Sequence, residues 1–279
     1  MVPLVSIACT TYNHVNYIHN AIEGFLMQKT TFPFEIIIHD DASIDGTNQI
    51  IKEYELKHPN LIFPVYQKEN QWSRGVKRIL ITFVFPNCKG KYVAFCEGDD
   101  YWTDPYKLQK QVDFLEENGD YGLVHTDYNI FNEADKNLKI ISSYHKSTNK
   151  IIPVGKVLKE LIRSNFIATV TVVARKQYIE QYINNMPIKN IFKHIQGDYP
   201  LWLFIASQTS IGYINSTTSS YRVLEVSLSH SNQTAKKIAF LYSEYRIKIA
   251  YLVKYRITNL SLFWHIAKEL PSRVWDQIK

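Results

Sequence analysis

The sequence has few cysteines, few glycines and no long apolar run, and each scarcity excludes a class of protein. Cys9, Cys88 and Cys96 form no C-x-x-C pair, so a disulfide framework and a zinc site are both disfavoured and a reducing cytoplasm is expected. No apolar stretch reaches the roughly 18 residues that would indicate a membrane span. Ten glycines in 279 residues exclude a collagen-like or linker-rich chain. What remains is an ordinary globular composition, 46% hydrophobic and 21% charged.

Glycine is also missing from the loop that follows the first apolar run. That loop reads TTYNHVNY over residues 10–17. A nucleotidyltransferase usually has a glycine-rich phosphate loop with Lys or Arg at this place, and a Rossmann dehydrogenase has G-x-G-x-x-G. The dehydrogenase is therefore excluded, and the nucleotidyltransferase stays only as an alternative.

Positive charge is concentrated at the end of the chain. The net charge is +6, and residues 226–279 contain nine lysines and arginines against three acids, so the first 225 residues are neutral in sum. Such a tail indicates an acidic partner, either anionic lipid or a charged glycan, or else a solvated helix face. Apolar residues from Ile238 to Leu252 recur in steps of three and four, which predicts an amphipathic helix. We expect a domain over 1–225 and a basic helical extension over 226–279. The extension would either contact a membrane peripherally or form a homodimer. No nucleic-acid partner is expected.

Strand-like and helix-like segments alternate through the first hundred residues. Strands are predicted at 4–9, 35–39, 61–66 and 91–96, and helices at 15–27, around 50–54 and at 76–85. Later segments predict a helix that starts at Asp104-Pro105, strands at 122–127, 167–174 and 211–214, and a helix at 199–206. The alternation is typical of βαβ units and predicts an α/β fold with a mainly parallel sheet between helices.

Three of the predicted strands end in polar residues. These are Thr10, Thr11, Tyr12 and Asn13 after the first strand, Asp40 and Asp41 after the second, and Glu97, Asp99 and Asp100 after the fourth. Ligands of such sheets bind beyond the carboxyl ends of the strands. We therefore expect the three groups to meet in one crevice.

The acidic group Glu97-Gly98-Asp99-Asp100 carries the strongest chemical signal. Clustered carboxylates repel one another, and Mg²⁺ or Mn²⁺ relieves that repulsion while it binds a substrate diphosphate. The alternative is a set of turn and capping acids ahead of the Asp104-Pro105 helix start. Asp40 and Asp41 can accept hydrogen bonds from a base or a ribose, as acids do in dinucleotide folds, although a turn follows them directly.

Three motifs in chain order resemble the family 2 glycosyltransferases, which are inverting enzymes with the GT-A fold. The motifs are VSIACTTYN, IIIHDDASIDGT and GKYVAFCEGDDYW, and they cover roughly the first 130 residues. A fourth segment, GDYPLW at 197–202, resembles the part of the family that carries the catalytic base. The resemblance implies transfer of a sugar from a nucleotide diphosphate, with uridine favoured, to a glycan or lipid-linked glycan acceptor. It also implies a setting in cell-surface polysaccharide or lipopolysaccharide synthesis, on the cytoplasmic side of a membrane.

The resemblance further implies a role for individual residues. It assigns nucleotide binding to Thr10, Thr11, Tyr12, Asn13, Asp40, Asp41, Arg74 and Asp99. It assigns metal binding to Asp99 and Asp100, with His230 standing where several GT-A enzymes bring a histidine to the metal. Asp198 would be the general base that takes the proton of the acceptor hydroxyl.

Two residues depart from the family pattern. Glu97 stands where an Asp is usual, so its contact with metal or ribose is open, and His39 stands where relatives are apolar and is expected to be a satisfied buried histidine. His125 and Asp127 either face the donor sugar or only solvate a strand end. The remaining alternative is a non-catalytic module that binds a nucleotide sugar or a glycan. The retained carboxylates at 99, 100 and 198 argue against it.

Overall fold

The computed structural model describes residues 2–133, 140–149, 151–185, 197–224 and 234–278. The strands are β1 Val5–Thr11, β2 Phe34–Asp40, β3 Ile62–Tyr66, β4 Tyr92–Phe95, β5 Tyr101–Trp102, β6 Tyr121–Asn132, β7 Ile140–Ile141, β8 Val173–Arg175 and β9 Ser210–Val223. The helices are α1 Ile18–Leu26, α2 Thr47–Lys57, α3 Lys107–Glu117, α4 Tyr144–Ser147, α5 Leu158–Arg163, α6 Lys176–Asn185, α7 Tyr199–Gln208, α8 Thr234–Lys254 and α9 Leu260–Ile278.

The strands form one mixed sheet in the order β3-β2-β1-β4-β8-β6-β9-β5, with β7 paired to β6. Strands β3, β2, β1 and β4 are parallel to one another, and β6 is parallel to β9. Strand β8 runs antiparallel between β4 and β6, and β5 is antiparallel to β9. The predicted α/β fold with a mainly parallel sheet is confirmed.

Two hydrophobic clusters cover opposite faces of the sheet. Successive side chains of a strand point to opposite faces, so Val5, Ile7 and Cys9 of β1 belong to one cluster and Ala8 belongs to the other. Both faces are buried, which explains why the N-terminal strands read as continuous apolar runs. On one face α1 lies so close to β5 that a Cβ on Gly24 would come within 2.9 Å of the Trp102 backbone nitrogen.

The second half of the sheet departs from the sequence-based prediction. The segment predicted as a strand at 167–174 is a 3₁₀ turn, Thr169–Thr171, followed by the three residues of β8. The strand predicted at 211–214 is the 14-residue β9. Its second half is rich in Ser and Thr, and several of these hydroxyls form hydrogen bonds inside the protein. Thr126 and Thr218 share a hydrogen bond of 2.7 Å, and Ser219 donates to the Val170 carbonyl.

Two helix predictions are also corrected. The segment at 76–85 is a π-helical turn at Leu80–Val84 and a 3₁₀ turn at Phe85–Asn87, because Pro86 lacks an N–H and β-branched residues crowd the preceding turn. Asp104 does not cap α3 directly. Its carboxylate accepts a 2.9 Å hydrogen bond from the Tyr106 amide, so a turn precedes the helix.

The C-terminal helices pack against the cluster that contains Ala8. Lys248 of α8 is buried, and its ammonium lies 2.9 Å from Glu244 of the same helix and 2.9 Å from Glu269 of α9. Tyr251 donates a hydrogen bond to the Pro200 carbonyl at the start of α7. The division of the chain near residue 225 stays a prediction. Within the described ranges, none of the helices combines the length and apolarity that a membrane crossing requires.

Lys107 is a buried cation with neutral hydrogen-bond partners. Its ammonium donates to Gln111 Oε1 at 2.5 Å and to the Thr171 carbonyl at 3.0 Å, and lies 5.1 Å above the Trp102 ring. Burial lowers the pKa of Lys107 from 10.5 to about 7. Desolvation is the main physical cause, and the opposing effects of Cys96 and Asp104 offset it only in part.

We predict that Lys107 makes the free energy of unfolding rise with pH between about 7 and 10.5. In this window the unfolded chain binds the proton that the folded chain has lost, and one proton corresponds to a slope of about 1.4 kcal/mol per pH unit. Lys107→Met should remove most of that slope in urea titrations between pH 6.5 and 9. Lys110→Met, which changes an exposed lysine of the same helix, is the control. Equal slopes for the wild type and Lys107→Met would contradict the prediction.

Candidate active site

A crevice of about 920 Å³ lies at the carboxyl ends of β1, β2 and β4. Thr11 pairs with Asp40 across β1 and β2, and Ala8 pairs with Phe95 across β1 and β4, so the residues that follow these strands reach the same edge. The predicted site residues that line the crevice are Thr10, Thr11, Tyr12, Asp41, Asp99 and Asp198. The expected meeting of separate strand ends is therefore present in the structure.

The acidic group forms a tight turn at the end of β4. The Gly98 amide donates to the Thr10 carbonyl at 2.9 Å, and the Asp100 amide donates to the Glu97 carbonyl at 3.1 Å. A Cβ on Gly98 would lie 2.7 Å from Thr11 Oγ1 and 3.1 Å from His14 Nδ1. Only glycine lets the turn lie this close to the end of β1.

The three carboxylates of the turn fit a divalent cation. One oxygen from each of Glu97, Asp99 and Asp100 lies within 4.8 Å of the other two. Asp100 is 1% exposed, and its Oδ2 has no hydrogen-bond partner among the described residues. A buried carboxylate oxygen without a partner is costly, and hard cations prefer such oxygens as ligands. Glu97, whose contact was open from the sequence, belongs to this group.

Crowding of the carboxylates opposes their ionisation. Burial, and then the charges of Asp99 and Glu97, raise the pKa of Asp100 well above its usual value. Solvent reaches Glu97 through the crevice, yet desolvation by the walls and the charges of Asp99 and Asp198 raise its pKa to about 8. Asp198 therefore lies near enough to the acidic group to repel it. A cation would offset the repulsion in this group.

Asp198 is positioned by the start of α7. Its Oδ1 accepts a 2.8 Å hydrogen bond from the Tyr199 amide, which makes it the N-cap of the helix. Its Oδ2 accepts a 2.5 Å hydrogen bond from the Thr169 hydroxyl. Both contacts fix the carboxylate at the crevice wall, where its oxygens can also face a ligand.

Asp40 and Asn13 hold a turn and are not among the residues that line the crevice. Asp40 Oδ1 accepts a 2.5 Å hydrogen bond from the Ser43 hydroxyl. Asn13 has φ 55°, and its side-chain oxygen accepts from the Ile44 amide at 3.0 Å. The structure gives these two residues a turn-holding role, and their contact with a nucleotide stays a prediction.

Asp41 organises the segment that covers one side of the crevice. Its two carboxylate oxygens accept hydrogen bonds from the amides of Gln71 and Trp72, at 2.8 and 3.0 Å. Arg74, predicted to contact the diphosphate, instead pairs with Glu69 at the surface and does not line the crevice. The lining cations of this segment are Lys77 and Arg78. The position of Asp41 directly after a strand indicated contact with a ligand and did not indicate this bracing role.

Arg222 on β9 was missed by sequence reasoning. Its backbone amide donates to Asp100 Oδ1 at 2.7 Å, and its guanidinium donates to the Asp99 carbonyl at 2.6 Å. The guanidinium lies 4.9 Å from both the Tyr17 and Tyr101 rings. Arg222 therefore braces the acidic turn. A single Arg in a polar segment 122 residues away from Asp100 offers no sequence signal of this contact.

The predictions for the histidines are met only in part. His39 is buried as expected, but neither ring nitrogen has a hydrogen-bond partner in the described parts of the chain, so it is not satisfied. It stacks on Phe83 at 5.2 Å and lines the crevice. His14, which was not predicted, also lines the crevice, with Nε2 4.0 Å from Asp99 Oδ2. His230 lies outside the described residues.

His125 and Asp127 do not line the crevice, and neither of their predicted roles is met. His125 is fully buried beside Tyr213 and His145, with ring centroids 5.1 and 6.1 Å away. Burial lowers its pKa to about 3. Asp127 is also buried, and its carboxylate accepts a 2.9 Å hydrogen bond from the His145 amide at α4.

Solved structures with the same fold contain nucleotides. Staphylococcus aureus TarS 1-349 in complex with UDP matches with a TM-score of 0.59 and 17% identity, covering 98% of this chain and 72% of that chain. The mannosyltransferase PcManGT of Pyrobaculum calidifontis, in complex with GDP-Man and Mn²⁺, matches with a TM-score of 0.64 and 15% identity, covering 100% and 74%. These likenesses establish the GT-A fold.

Sequence comparisons identify relatives over most of the chain. A protein of Mycobacterium tuberculosis, Rv1520, is 36% identical over 188 residues, which are 66% of this chain and 51% of the relative. The chain thus spans about half the length of that relative. The putative teichuronic acid biosynthesis glycosyltransferase TuaG of Bacillus subtilis is 29% identical over 244 residues, 87% of this chain and 88% of TuaG. The model of glycosyl transferase family 2 matches residues 6–183, more than half of the sequence. The chain belongs to glycosyl transferase family 2.

Proposed function

We propose that the chain transfers a sugar from a nucleotide diphosphate donor to an acceptor hydroxyl, with inversion at the anomeric carbon. The observation that carries the proposal is that Glu97 and Asp99, which cluster with the buried Asp100, line the same crevice as the Asp198 carboxylate. Cation-binding oxygens for a diphosphate and a base for a hydroxyl are the two requirements of a single displacement.

The donor would lie along the ends of β1 and β2. Thr10 and Tyr12 line this part, and Trp72 stands opposite on the segment that Asp41 holds. Tyr12 is 42% exposed, which leaves its ring open to stack on a base. We propose a uridine diphosphate sugar as donor, supported by the UDP in the TarS structure.

Asp99, Asp100 and Glu97 would hold Mg²⁺ or Mn²⁺, and His230 remains a predicted further ligand. When bound, the ion supplies positive charge next to the diphosphate leaving group. Lys77 also lines the crevice, with its ammonium 4.1 Å from the centre of the Trp72 ring. Its ammonium can contribute to the same neutralisation.

Asp198 would accept the proton of the acceptor hydroxyl as the oxygen attacks the anomeric carbon. The bond from that carbon to the diphosphate oxygen breaks, and its electron pair leaves on the diphosphate. The Tyr199 amide and the Thr169 hydroxyl keep Asp198 oriented during the transfer. We further propose cell-surface polysaccharide synthesis at the inner face of a membrane, supported by the likeness to TuaG.

Asp198→Asn should lower turnover by about 10³-fold, because an amide cannot accept the proton, whereas donor binding should stay within about twofold. Turnover is measured as release of nucleoside diphosphate from a panel of UDP- and GDP-sugars with Mn²⁺. Donor binding is measured as the rise in melting temperature. Asp113→Asn, an exposed carboxylate on α3, is the control. Retained turnover in Asp198→Asn would remove the assignment of the base, and absent turnover in the wild type with intact donor binding would favour the binding-module alternative.

Arg222→Gln should weaken Mn²⁺ binding by about tenfold, because residues that orient metal ligands typically contribute ten- to hundredfold. The backbone bond to Asp100 survives this change, so the measurement isolates the guanidinium. Free Mn²⁺ is read by electron paramagnetic resonance, independently of turnover.

Arg175→Gln is the matched control for loss of stability. Arg175 does not line the crevice. Its guanidinium donates hydrogen bonds to the carbonyls of Tyr121 and Asn118. This variant should lose melting temperature but keep its Mn²⁺ affinity. Equal Mn²⁺ affinity in Arg222→Gln and the wild type would show that the brace does not act on the metal site.

A further inference from the structure

Two buried tyrosine hydroxyls bind the chain directly after Asp198. Tyr199 is the first residue of α7, and its hydroxyl donates a 2.9 Å hydrogen bond to the Leu161 carbonyl of α5. Tyr251 of α8 is fully buried, and its hydroxyl donates a 2.8 Å hydrogen bond to the Pro200 carbonyl. The two residues that follow Asp198 are therefore tied to two other helices. We name Tyr199 and Tyr251 the tyrosine clamp.

The helices on which the clamp depends are joined to one another by a buried cation. Lys248 lies three residues before Tyr251 in α8, and its ammonium donates to the Arg163 carbonyl at the end of α5, at 3.3 Å. The same ammonium lies 2.9 Å from the Glu269 carboxylate of α9. A buried charge is stable only with partners of this kind. Helices α5, α8 and α9 thus form one connected support for the first turn of α7.

The clamp is linked to the Asp198 carboxylate by the Tyr199 residue itself. The Tyr199 amide donates to Asp198 Oδ1, so the residue whose hydroxyl is fixed to α5 also holds the carboxylate. The Asp198 carbonyl accepts a 3.0 Å hydrogen bond from the Trp202 amide, which makes Asp198 part of the same helical turn. A shift of this turn would therefore move the carboxylate with it.

Packing alone does not require the two hydroxyls. A phenylalanine ring would fill nearly the same space at each position, whereas a buried hydroxyl is costly unless it is hydrogen-bonded. Burial raises the pKa of both phenols well above the usual value, so both remain protonated donors. What the hydroxyls add to the packing is a fixed distance and direction to two backbone carbonyls.

The other end of α7 has a comparable contact that lies away from Asp198. Tyr255, one turn after Tyr251 in α8, accepts a 2.6 Å hydrogen bond from the Ser207 hydroxyl. Ser207 is seven residues after Pro200, which corresponds to about 10 Å along the helix. The rings of Tyr251 and Tyr255 stack with centroids 5.7 Å apart. Helix α8 thus binds both ends of α7 through tyrosines, and only one of these ends carries the proposed base.

We propose that the tyrosine clamp positions the Asp198 carboxylate for the acceptor oxygen, so that α5 and α8 act in catalysis through the first turn of α7. The proposal rests on the proposed function, because it takes Asp198 as the base. Tyr251 does not line the crevice and is a positioning residue. This role of α8 is separate from the membrane or dimer contact expected of the C-terminal extension.

The first test compares Tyr251→Phe with Tyr255→Phe, because each variant loses one hydroxyl between α8 and α7. Misplacement of a catalytic group by about 1 Å can cost about 10²-fold, so a partial shift in Tyr251→Phe should lower kcat about tenfold. The donor KM should stay within about twofold, since the donor does not contact the clamp. Tyr255→Phe should lower the melting temperature by a similar amount and keep its kcat. Equal kcat values in the two variants would overturn the proposal.

Turnover in this comparison is the release of nucleoside diphosphate from the UDP- or GDP-sugar that the wild type turns over fastest with Mn²⁺, at saturating donor. Mn²⁺ affinity is measured on the same samples by electron paramagnetic resonance. It should be unchanged in both variants, because neither tyrosine contacts the acidic turn. A weaker Mn²⁺ affinity in Tyr251→Phe would show a general disturbance of the crevice and would also count against the clamp.

A double-mutant cycle shows whether Tyr251 acts through Asp198. In the Asp198→Asn background, Tyr251→Phe should change the residual turnover by less than about twofold, because the group that it positions is already inactive. A merely structural role would not depend on Asp198, and Tyr251→Phe would then lower kcat by the same factor in both backgrounds. That result would refute the positioning role.

Tyr199→Phe provides a second variant of the same clamp if Tyr251→Phe does not fold, and the same loss of kcat is expected from it. The outcomes also separate this proposal from the proposed function. If Asp198→Asn keeps its turnover, or the wild type has none, the proposed function fails and the clamp with it. If Asp198→Asn is inactive and both clamp variants keep the kcat of Tyr255→Phe, only the clamp is wrong.

Discussion

Mutual repulsion among the carboxylates at the end of β4 is the constraint on which the site depends. Three acids within 4.8 Å oppose one another, and Asp100 has a buried oxygen without a partner among the described residues. The folded chain tolerates this because backbone amides and Arg222 bind the turn from the protein side. The opposite side is left for a cation and the phosphates it accompanies.

The sheet explains why such a site forms at this edge. Strands β2 and β4 are parallel to β1 and pair with it on either side, so short polar segments that are distant in the sequence come together after each strand. Two local contacts then shape the site. Gly98 lets the acidic turn lie against Thr11, and the Asp41 carboxylate binds the segment that contains Trp72. The N-terminus of α7 adds Asp198 from the far half of the chain.

The N-terminal half of the fold could be predicted because its strands are buried on both faces and its helices show regular apolar spacing. The second half was harder to predict. The buried Thr218 of β9 shares hydrogen bonds with Ser219 of the same strand and with Thr126 of β6, and no local pattern shows this pairing. In the N-terminal half the exception is the π-helical turn at Leu80–Val84, whose apolar residues recur at a spacing similar to that of an α-helix. This turn packs against β1 and β2, which are distant from it in the sequence.

The sequence by itself determined the family, the α/β fold and the strand ends that carry polar residues, because these depend on residue type and spacing along a short stretch. Only the tertiary structure decided which of those residues face the crevice. Asp40 and Asp41 are neighbours, yet one binds its own turn and the other braces a segment 30 residues away. Arg222 reaches the acidic turn across 122 positions. Contacts of this range depend on strand pairing and register, which local sequence patterns do not encode.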